Sequence, residues 1–261
     1  MEVKSSSIWI TGASSGFGRE LALKCAKGGA KLVLSARTST NLEPVAAECR
    51  SMGAPQVDVR ALDVRDARAV KEAAEFVHRS LGAIDGFVAS AADVPLGDLE
   101  SLTDEQWTYG IANKLLGTVY CLRSVLPIMR AQRHGRVVVL SGSRGTEPLP
   151  KSLLPGAVNA ALNNVVKALS REYAAFGVAI NTVSPSLVMT ARGELYIRTE
   201  AEKTSRPEDE VRQEWTRDLP ARRFVSSDEI VTVLYELLTA FPDAFTGQTV
   251  LVDAAESRGV R

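Results

Sequence analysis

A glycine-rich turn near the start of the sequence has the residue types and spacing of a phosphate-binding loop. The turn spans residues 11–18 and lies between the apolar run 8–10 and a helix-like segment that starts at Arg19. A buried strand that ends in a tight turn and opens a helix points free backbone N–H groups at one place, which suits a pyrophosphate. Glycine lets backbone and phosphate approach closely because it has no side chain. The residues that we predict to contact a dinucleotide here are Gly12, Ser14, Ser15, Gly16, Phe17 and Gly18.

The end of the second predicted strand indicates which dinucleotide binds. Residues 31–36 form an apolar run, and Arg37 follows at the place where a carboxylate would contact a ribose 2′-hydroxyl. A guanidinium pairs with a 2′-phosphate, which a carboxylate would repel. The pattern therefore favours NADP(H) over NAD(H). The alternative is that Arg37 is a solvated surface charge.

Composition excludes several other classes of protein. Lys and Arg number 31 and are balanced by 31 Asp and Glu, so the chain has no strongly basic surface for nucleic acid or an anionic membrane. Cys25, Cys49 and Cys121 are too far apart to indicate a disulfide framework or a metal site. No apolar stretch is long enough to span a bilayer. We expect a cytoplasmic protein whose partner is a small-molecule substrate.

Short β-branched runs alternate with longer amphipathic segments along the whole chain. The predicted strands are 8–10, 31–36, 56–62, 84–88, 136–140, 178–183 and 248–252. The longer predicted helices are 66–81, 103–132, 156–176 and 228–238. This alternation predicts an α/β fold in which a doubly wound parallel sheet of seven strands carries helices on both faces. Residues 190–224 are dense in charge and contain two prolines, so we expect a lid or substrate loop there.

With these elements in order, the chain resembles the short-chain dehydrogenase/reductase family from end to end. The family's Thr-Gly-x-x-x-Gly-x-Gly turn matches residues 11–18, and its closing Thr-Gly-Gln-x-x-x-Val-Asp pattern matches residues 246–253. The resemblance implies a single Rossmann-type domain over residues 1–261 and a homodimer or homotetramer formed through the helices at 103–132 and 156–176. The further cofactor contacts that it implies are Asp63, Val64, Ala89, Pro185, Val188 and Thr190.

The resemblance also locates four catalytic positions, and none keeps the residue typical of the family. The tyrosine position falls on Pro155 and the lysine position on Asn159. The serine position falls on Gly142, and the asparagine position falls on Lys114. Asn113 is one residue out of register for the asparagine, and one residue turns an α-helical side chain by about 100 degrees.

Lysine and asparagine have exchanged places between two of these positions. A lysine at 114 could deliver a positive charge near the ribose and nicotinamide, while Asn159 holds a hydroxyl or a water. The residues that we predict to line this end of the site are Lys114, Ser141, Ser143 and Asn159. One alternative is that Lys114 extends into solvent. Another is a shifted register that pairs Asn163 with Lys167.

These substitutions restrict the chemistry that the site can perform. Without a tuned tyrosine, reduction of an ordinary ketone lacks a positioned acid, which is typically worth roughly 10²–10⁴ in rate. We therefore expect an NADP(H)-dependent oxidoreductase of atypical mechanism that acts on an activated C=N, C=C or C=O bond of a small or medium organic substrate, in a biosynthetic role. The alternatives are cyclisation or isomerisation in the same site, or a pseudoenzyme that keeps the cofactor as a structural or sensing ligand.

Overall fold

Seven parallel strands form one sheet at the centre of the protein. The structure, a computed structural model, describes residues 6–91, 93–189 and 191–258. The strands are β1 (Ser7–Thr11), β2 (Lys31–Ala36), β3 (Val57–Ala61), β4 (Gly86–Ala89), β5 (Gly135–Leu140), β6 (Val178–Pro185) and β7 (Thr249–Val252). Their order in the sheet is β3-β2-β1-β4-β5-β6-β7. The predicted doubly wound parallel sheet is thus confirmed.

Helices cover both faces of this sheet. They are α1 (Gly16–Lys27), α2 (Glu43–Ser51), α3 (Ala67–Leu81), α4 (Asp104–Gly110), α5 (Gly117–Gln132), α6 (Leu153–Tyr173), α7 (Ala191–Thr204), α8 (Glu208–Arg217) and α9 (Ser227–Thr239). One core cluster joins α3, α5 and α6 to the sheet, and a second joins α1, α2 and α9 to its other face. Within the described ranges, no helix is both long enough and apolar enough to cross a membrane.

Strands β1, β4, β5 and β6 are buried along their whole length, because both faces of the sheet are covered there. Trp9 faces the first cluster, whereas its neighbours Ile8 and Ile10 face the second. The Trp9 ring is fully buried, lies 5.1 Å from the ring of Phe87 between centroids, and donates its Nε1 hydrogen to Ser35 Oγ at 2.9 Å. The middle of β1 therefore packs into the core on both faces of the sheet.

The helical stretch predicted at residues 103–132 is interrupted by a π-helical turn. This turn, Ile111–Leu116, lies between α4 and α5. Residues in a π-helical turn are spaced differently around the axis from those in an α-helix, and such turns are common at functional sites. Here the adjacent side chains Asn113 and Lys114 are both buried. In an α-helix, a rotation of about 100 degrees would point two adjacent side chains in different directions. Here both side chains point into the protein.

The segment after β6 is largely helical rather than an irregular loop, and the lid or substrate role predicted for residues 190–224 stays a prediction. It contains α7 and α8, which enclose a small cluster of Ile197, Ala201 and Val211. Three ion pairs join charged residues of this segment, Arg212 with Glu194, Arg206 with Glu214, and Arg198 with Glu208. Apolar residues four apart on α7 supply one helix face, and the charges occupy the remaining surface. The charge-rich composition of this segment is therefore compatible with two helices.

Candidate cofactor and catalytic site

A cavity of about 560 Å³ opens at the carboxyl ends of the central strands. Strand order reverses at this place, since β2 and β4 pair with opposite sides of β1. Such a reversal creates the crevice in which doubly wound sheets bind ligands. Of the residues predicted to bind the cofactor, those that line the cavity are Gly12, Ser14, Ser15, Gly16, Phe17, Arg37 and Val64.

The glycine-rich turn of this cavity fits a pyrophosphate. Gly12 has a φ of +72°, and a Cβ at this residue would lie 2.6 Å from the backbone nitrogen of Ala91, so a side chain has no room. A Cβ at Gly16 would meet nothing within 4 Å, because this residue faces open space. The first turn of α1 contains no acidic residue, and the side chain of Ser15 does not cap it. The N–H groups of this helix end can therefore donate to an anion.

Gly18 has a different role from the other residues of the turn. It does not line the cavity, and a Cβ at this position would collide with the carbonyl oxygen of Gly12 and the hydroxyl of Ser90. The Ser90 hydroxyl donates to the carbonyl of Thr11 at 2.6 Å. Gly18 thus allows α1 to pack closely against the ends of β1 and β4.

Four further predicted cofactor contacts, among the described residues, lie outside the lining of the cavity. The Asp63 carboxylate accepts hydrogen bonds from Arg65, which holds the pKa of Asp63 below its usual range. Ala89 and Pro185 are the last residues of β4 and β6, and Val188 is buried where it pairs with Val225. Thr190 lies outside the described residues. The cofactor contacts assigned to these residues stay predictions.

Sequence reasoning missed more than half of the residues that line the cavity. The additional lining residues are Thr11, Ser35, Ala36, Thr38, Asn41, Leu62, Ser90, Ala91, Asp93 and Asn113. Ser90 and Thr38 follow strand ends that meet at this edge of the sheet, so the topology could have identified them. Asn113 could not be assigned, because its inward direction depends on the π-helical turn.

Lys114 is buried at the carboxyl end of β5. Its Nζ donates to Asn159 Oδ1 at 2.7 Å and to the carbonyl oxygen of Ser141 at 3.0 Å. Lys114 is 7% exposed and Asn159 is 4% exposed. The π-helical turn, the end of β5 and α6 therefore bring together the two positions that exchanged residue types, and Lys114 does not extend into solvent.

The surroundings of Lys114 change its acidity. Both acceptors of its ammonium group are neutral oxygens, and burial lowers its pKa from 10.5 to about 8. Desolvation has this direction for a cation because the charged form loses its hydration. The ammonium form still predominates near neutral pH, and loss of its proton is easier than from a solvated lysine.

The absence of a serine at position 142 follows from the position of Asn159. A Cβ on Gly142 would lie 2.7 Å from Asn159 Nδ2. The Ser141 hydroxyl donates to the carbonyl of Asn159 at 3.4 Å, and Ser143 is buried in the short turn after β5. Asn159 thus occupies the space that a longer residue at 142 would need.

The predicted tyrosine position and the alternative register can both be placed in the structure. Pro155 lies in the first turn of α6 and carries no side-chain proton donor. Lys167 Nζ donates to the carbonyl of Gly247 at 3.1 Å, just before β7 begins. Because the start of a strand lies at the amino edge of the sheet, the shifted register that pairs Asn163 with Lys167 directs this lysine away from the cavity.

Arg37 lines the cavity and contacts two side chains. Its Nη1 donates to the hydroxyl of Tyr109 at 3.2 Å, and its Nη2 lies 3.7 Å from Asp93 Oδ2. The side chain of Arg37 remains 58% exposed. Arg37 is therefore a partly exposed cation at the cavity wall with identified neighbours.

Comparisons with known proteins agree with this architecture. A family model described as enoyl-(acyl carrier protein) reductase matches residues 12–254. An uncharacterized oxidoreductase of Staphylococcus saprophyticus is 32% identical over 181 residues, which cover 69% of this chain and 77% of that protein. The structure of L-sorbose reductase from Gluconobacter frateurii, in complex with NADPH and L-sorbose, has a TM-score of 0.92 at 24% identity and covers 100% of both chains. NAD⁺-bound xylitol dehydrogenase has a TM-score of 0.89 at 21% identity and covers 97% of this chain and 99% of that one.

Proposed function

Because the chain belongs to the short-chain dehydrogenase/reductase family of oxidoreductases, we propose that it is an NADP(H)-dependent reductase whose proton chemistry depends on Lys114. The observation that carries this proposal is a buried amine beside a cavity that fits a dinucleotide. Lys114 directly follows Asn113, which lines that cavity, and β5 adjoins β4 at the same edge of the sheet. Lys114 itself does not line the cavity, and the proposal treats the amine and the cofactor cavity as parts of one site.

The choice of NADP(H) rests on Arg37. A solved relative of this fold contains NADPH and another contains NAD⁺, so the fold accommodates both dinucleotides. At the end of β2 this chain has a guanidinium at the cavity wall and no carboxylate. A guanidinium forms charge-assisted hydrogen bonds with a phosphate and has no comparable partner in a ribose hydroxyl.

In this proposal the cofactor provides the hydride chemistry, and residues of the chain provide the proton and the positive charge. A bound nicotinamide supplies or accepts the hydride. Lys114 holds a proton at Nζ near neutral pH and places a positive charge where negative charge develops on the substrate. Asn159 Oδ1 and the carbonyl of Ser141 fix the direction of this ammonium group.

The replaced positions narrow the substrate class. Pro155 and Gly142 have no side-chain donor for a ketone oxygen. An activated C=N, C=C or C=O bond needs less help from an acid, so the proposal names a small or medium organic substrate with such a bond, in a biosynthetic role. The loss of all four family residues also favours a second candidate, a non-redox cyclase, isomerase or cofactor-binding pseudoenzyme. A protein that binds NADPH and never oxidises it would belong to this second class.

Calorimetric titration with NADPH and NADH tests the cofactor assignment. We expect NADPH to bind more tightly, and Arg37→Ala to weaken NADPH binding by roughly 10- to 100-fold, since a hydrogen bond to a charged group is worth about 1.5–3 kcal/mol. Binding of NADH should change by less than about twofold. Arg68→Ala is the matched control, because Arg68 is an exposed cation on α3 outside the cavity. Equal affinities for the two dinucleotides, or no loss in Arg37→Ala, would contradict the assignment.

A further inference from the structure

Three side chains form a closed triangle at the wall of the cofactor cavity. Arg37 Nη1 donates to the Tyr109 hydroxyl at 3.2 Å, and that hydroxyl donates to Asp93 Oδ2 at 2.8 Å. The same Asp93 oxygen lies 3.7 Å from Arg37 Nη2. Arg37 and Asp93 both line the cavity. The cation expected to bind a 2′-phosphate therefore already has an anion of the chain beside it.

This triangle bridges elements that lie on opposite sides of the glycine-rich turn. Arg37 follows β2, whereas Asp93 lies in the segment after β4, and β1 separates these two strands in the sheet. The backbone of Asp93 is held in place, because Asn113 Nδ2 donates to its carbonyl oxygen at 2.9 Å. The Arg65 guanidinium lies 5.3 Å from the centroid of the Tyr109 ring. The carboxylate of Asp93 is thus positioned by its neighbours from two directions.

We propose that Asp93 is a specificity-determining residue that competes with the cofactor's 2′-phosphate for Arg37. This inference rests on the proposed function. A carboxylate and a phosphate use the same guanidinium donors, so the two anions cannot share Arg37 without loss. Asp93 thereby weakens NADPH binding and limits the preference that Arg37 creates.

Tyr109 keeps the competing carboxylate in position. Burial and the hydrogen bond with Asp93 both raise the pKa of Tyr109, with burial as the larger cause. Its hydroxyl therefore remains protonated over the physiological range and continues to donate to Asp93. NADH has no 2′-phosphate for Asp93 to repel. The effect of Asp93 should consequently differ between the two dinucleotides.

The test is a calorimetric titration of the Asp93→Asn variant with NADPH and with NADH. Asparagine has nearly the shape of aspartate and can still accept the hydrogen bond from Tyr109, so the fold is retained. We expect NADPH to bind roughly three- to fivefold more tightly than to the parent protein, as for release of a partly exposed ion pair, and NADH binding to change by less than about twofold. Glu100→Gln is the matched control, because it removes the same charge from the same segment outside the cavity.

A double variant shows whether Asp93 acts through Arg37. In the Arg37→Ala background, Asp93→Asn should lose most of its effect on NADPH binding, because residues that act through one contact are not additive. Weaker or unchanged NADPH binding in Asp93→Asn, or an equal gain for NADH, would overturn the inference while leaving the proposed function intact. If the parent protein bound neither dinucleotide, the proposed function and this inference would both be wrong.

Discussion

Lys114 departs most from the ordinary environment of its residue type. A lysine side chain is rarely buried without a carboxylate partner, and here its ammonium group contacts an amide oxygen and a carbonyl oxygen. Burial of a cation has a free-energy cost that neutral acceptors offset only in part. Lys114 directly follows Asn113, which lines the cavity, and a buried charge near a ligand cavity is typical of a functional group.

This cost should be visible in the pH dependence of stability. Burial lowers the pKa of Lys114 from 10.5 to about 8 in the folded protein, whereas the unfolded chain keeps the ordinary value. Between these two pH values the unfolded state binds more protons, so the free energy of unfolding rises with pH across this window. Below pH 8 both states are protonated, and the full penalty of about 3 kcal/mol remains.

Denaturant unfolding of the parent protein and of Lys114→Met measures this contribution. The difference in unfolding free energy should shift in favour of the parent protein by up to about 3 kcal/mol as the pH rises through the window. Lys71→Met, at an exposed lysine of α3, is the control and should show no such shift. A difference between parent and Lys114→Met that stays constant with pH would mean that the amine keeps its solvated pKa.

Among the elements, the turn between β5 and α6 determines what the site can contain. Gly142 leaves space for Asn159, and a Cβ on Gly145 would lie 2.8 Å from the backbone nitrogen of Ala160. The backbone of the turn therefore packs directly against the backbone of α6, with no room for a side chain between them. Substitutions in this turn are coupled to the Lys114–Asn159 contact.

Restoring the family's serine at position 142 should not restore ordinary ketone reduction. The added side chain meets Asn159 Nδ2, which cannot move freely because Asn159 also holds Lys114. We expect Gly142→Ser to lower the free energy of unfolding by about 1–3 kcal/mol with no gain in ketone turnover. In an Asn159→Ala background this penalty should shrink, because the collision is removed. Thermal unfolding of the parent protein, the two single variants and the double variant measures this penalty. Additive changes in unfolding free energy would disprove the coupling.

Sequence patterns predicted the elements better than their local distortions. The apolar runs of the strands and the alternation of strand with helix predicted the sheet, since burial of both faces requires such runs. The π-helical turn at Ile111–Leu116 was not predicted, because the helical pattern of residues 103–132 runs through it without a distinguishing signal. For α7 and α8, the high charge hid the four-residue spacing of Ile197 and Ala201.

For the site residues, too, local sequence patterns predicted some features and missed those that depend on tertiary structure. The glycine-rich turn at residues 11–18 was readable from sequence, because its backbone conformation requires glycine at fixed positions. The closeness of Lys114 and Asn159 could be anticipated only from the register of the family resemblance. Asp93 and Tyr109 were missed, because they reach Arg37 from elements distant in sequence. Contacts of this kind depend on tertiary structure and leave no local pattern.

At the scale of the whole molecule, the parallel sheet gathers the functional groups at one edge. The carboxyl ends of β1, β2 and β4 carry the cavity, and the end of β5 carries the carbonyl that accepts a hydrogen bond from Lys114. The excursion that contains α7 and α8 begins and ends near this edge, where Val188 pairs with Val225. The cavity, the end of β5 and the segment with α7 and α8 thus lie at one edge of the sheet.

A crystal structure of the complex with NADP⁺ tests the central claim most directly. The claim is that Lys114 supplies the charge and the proton at the nicotinamide end of the site. We expect Lys114 Nζ to lie within hydrogen-bond reach of the nicotinamide ribose, directly or through one water. A separation of more than about 8 Å between Lys114 Nζ and that ribose exceeds any such contact and would contradict the account.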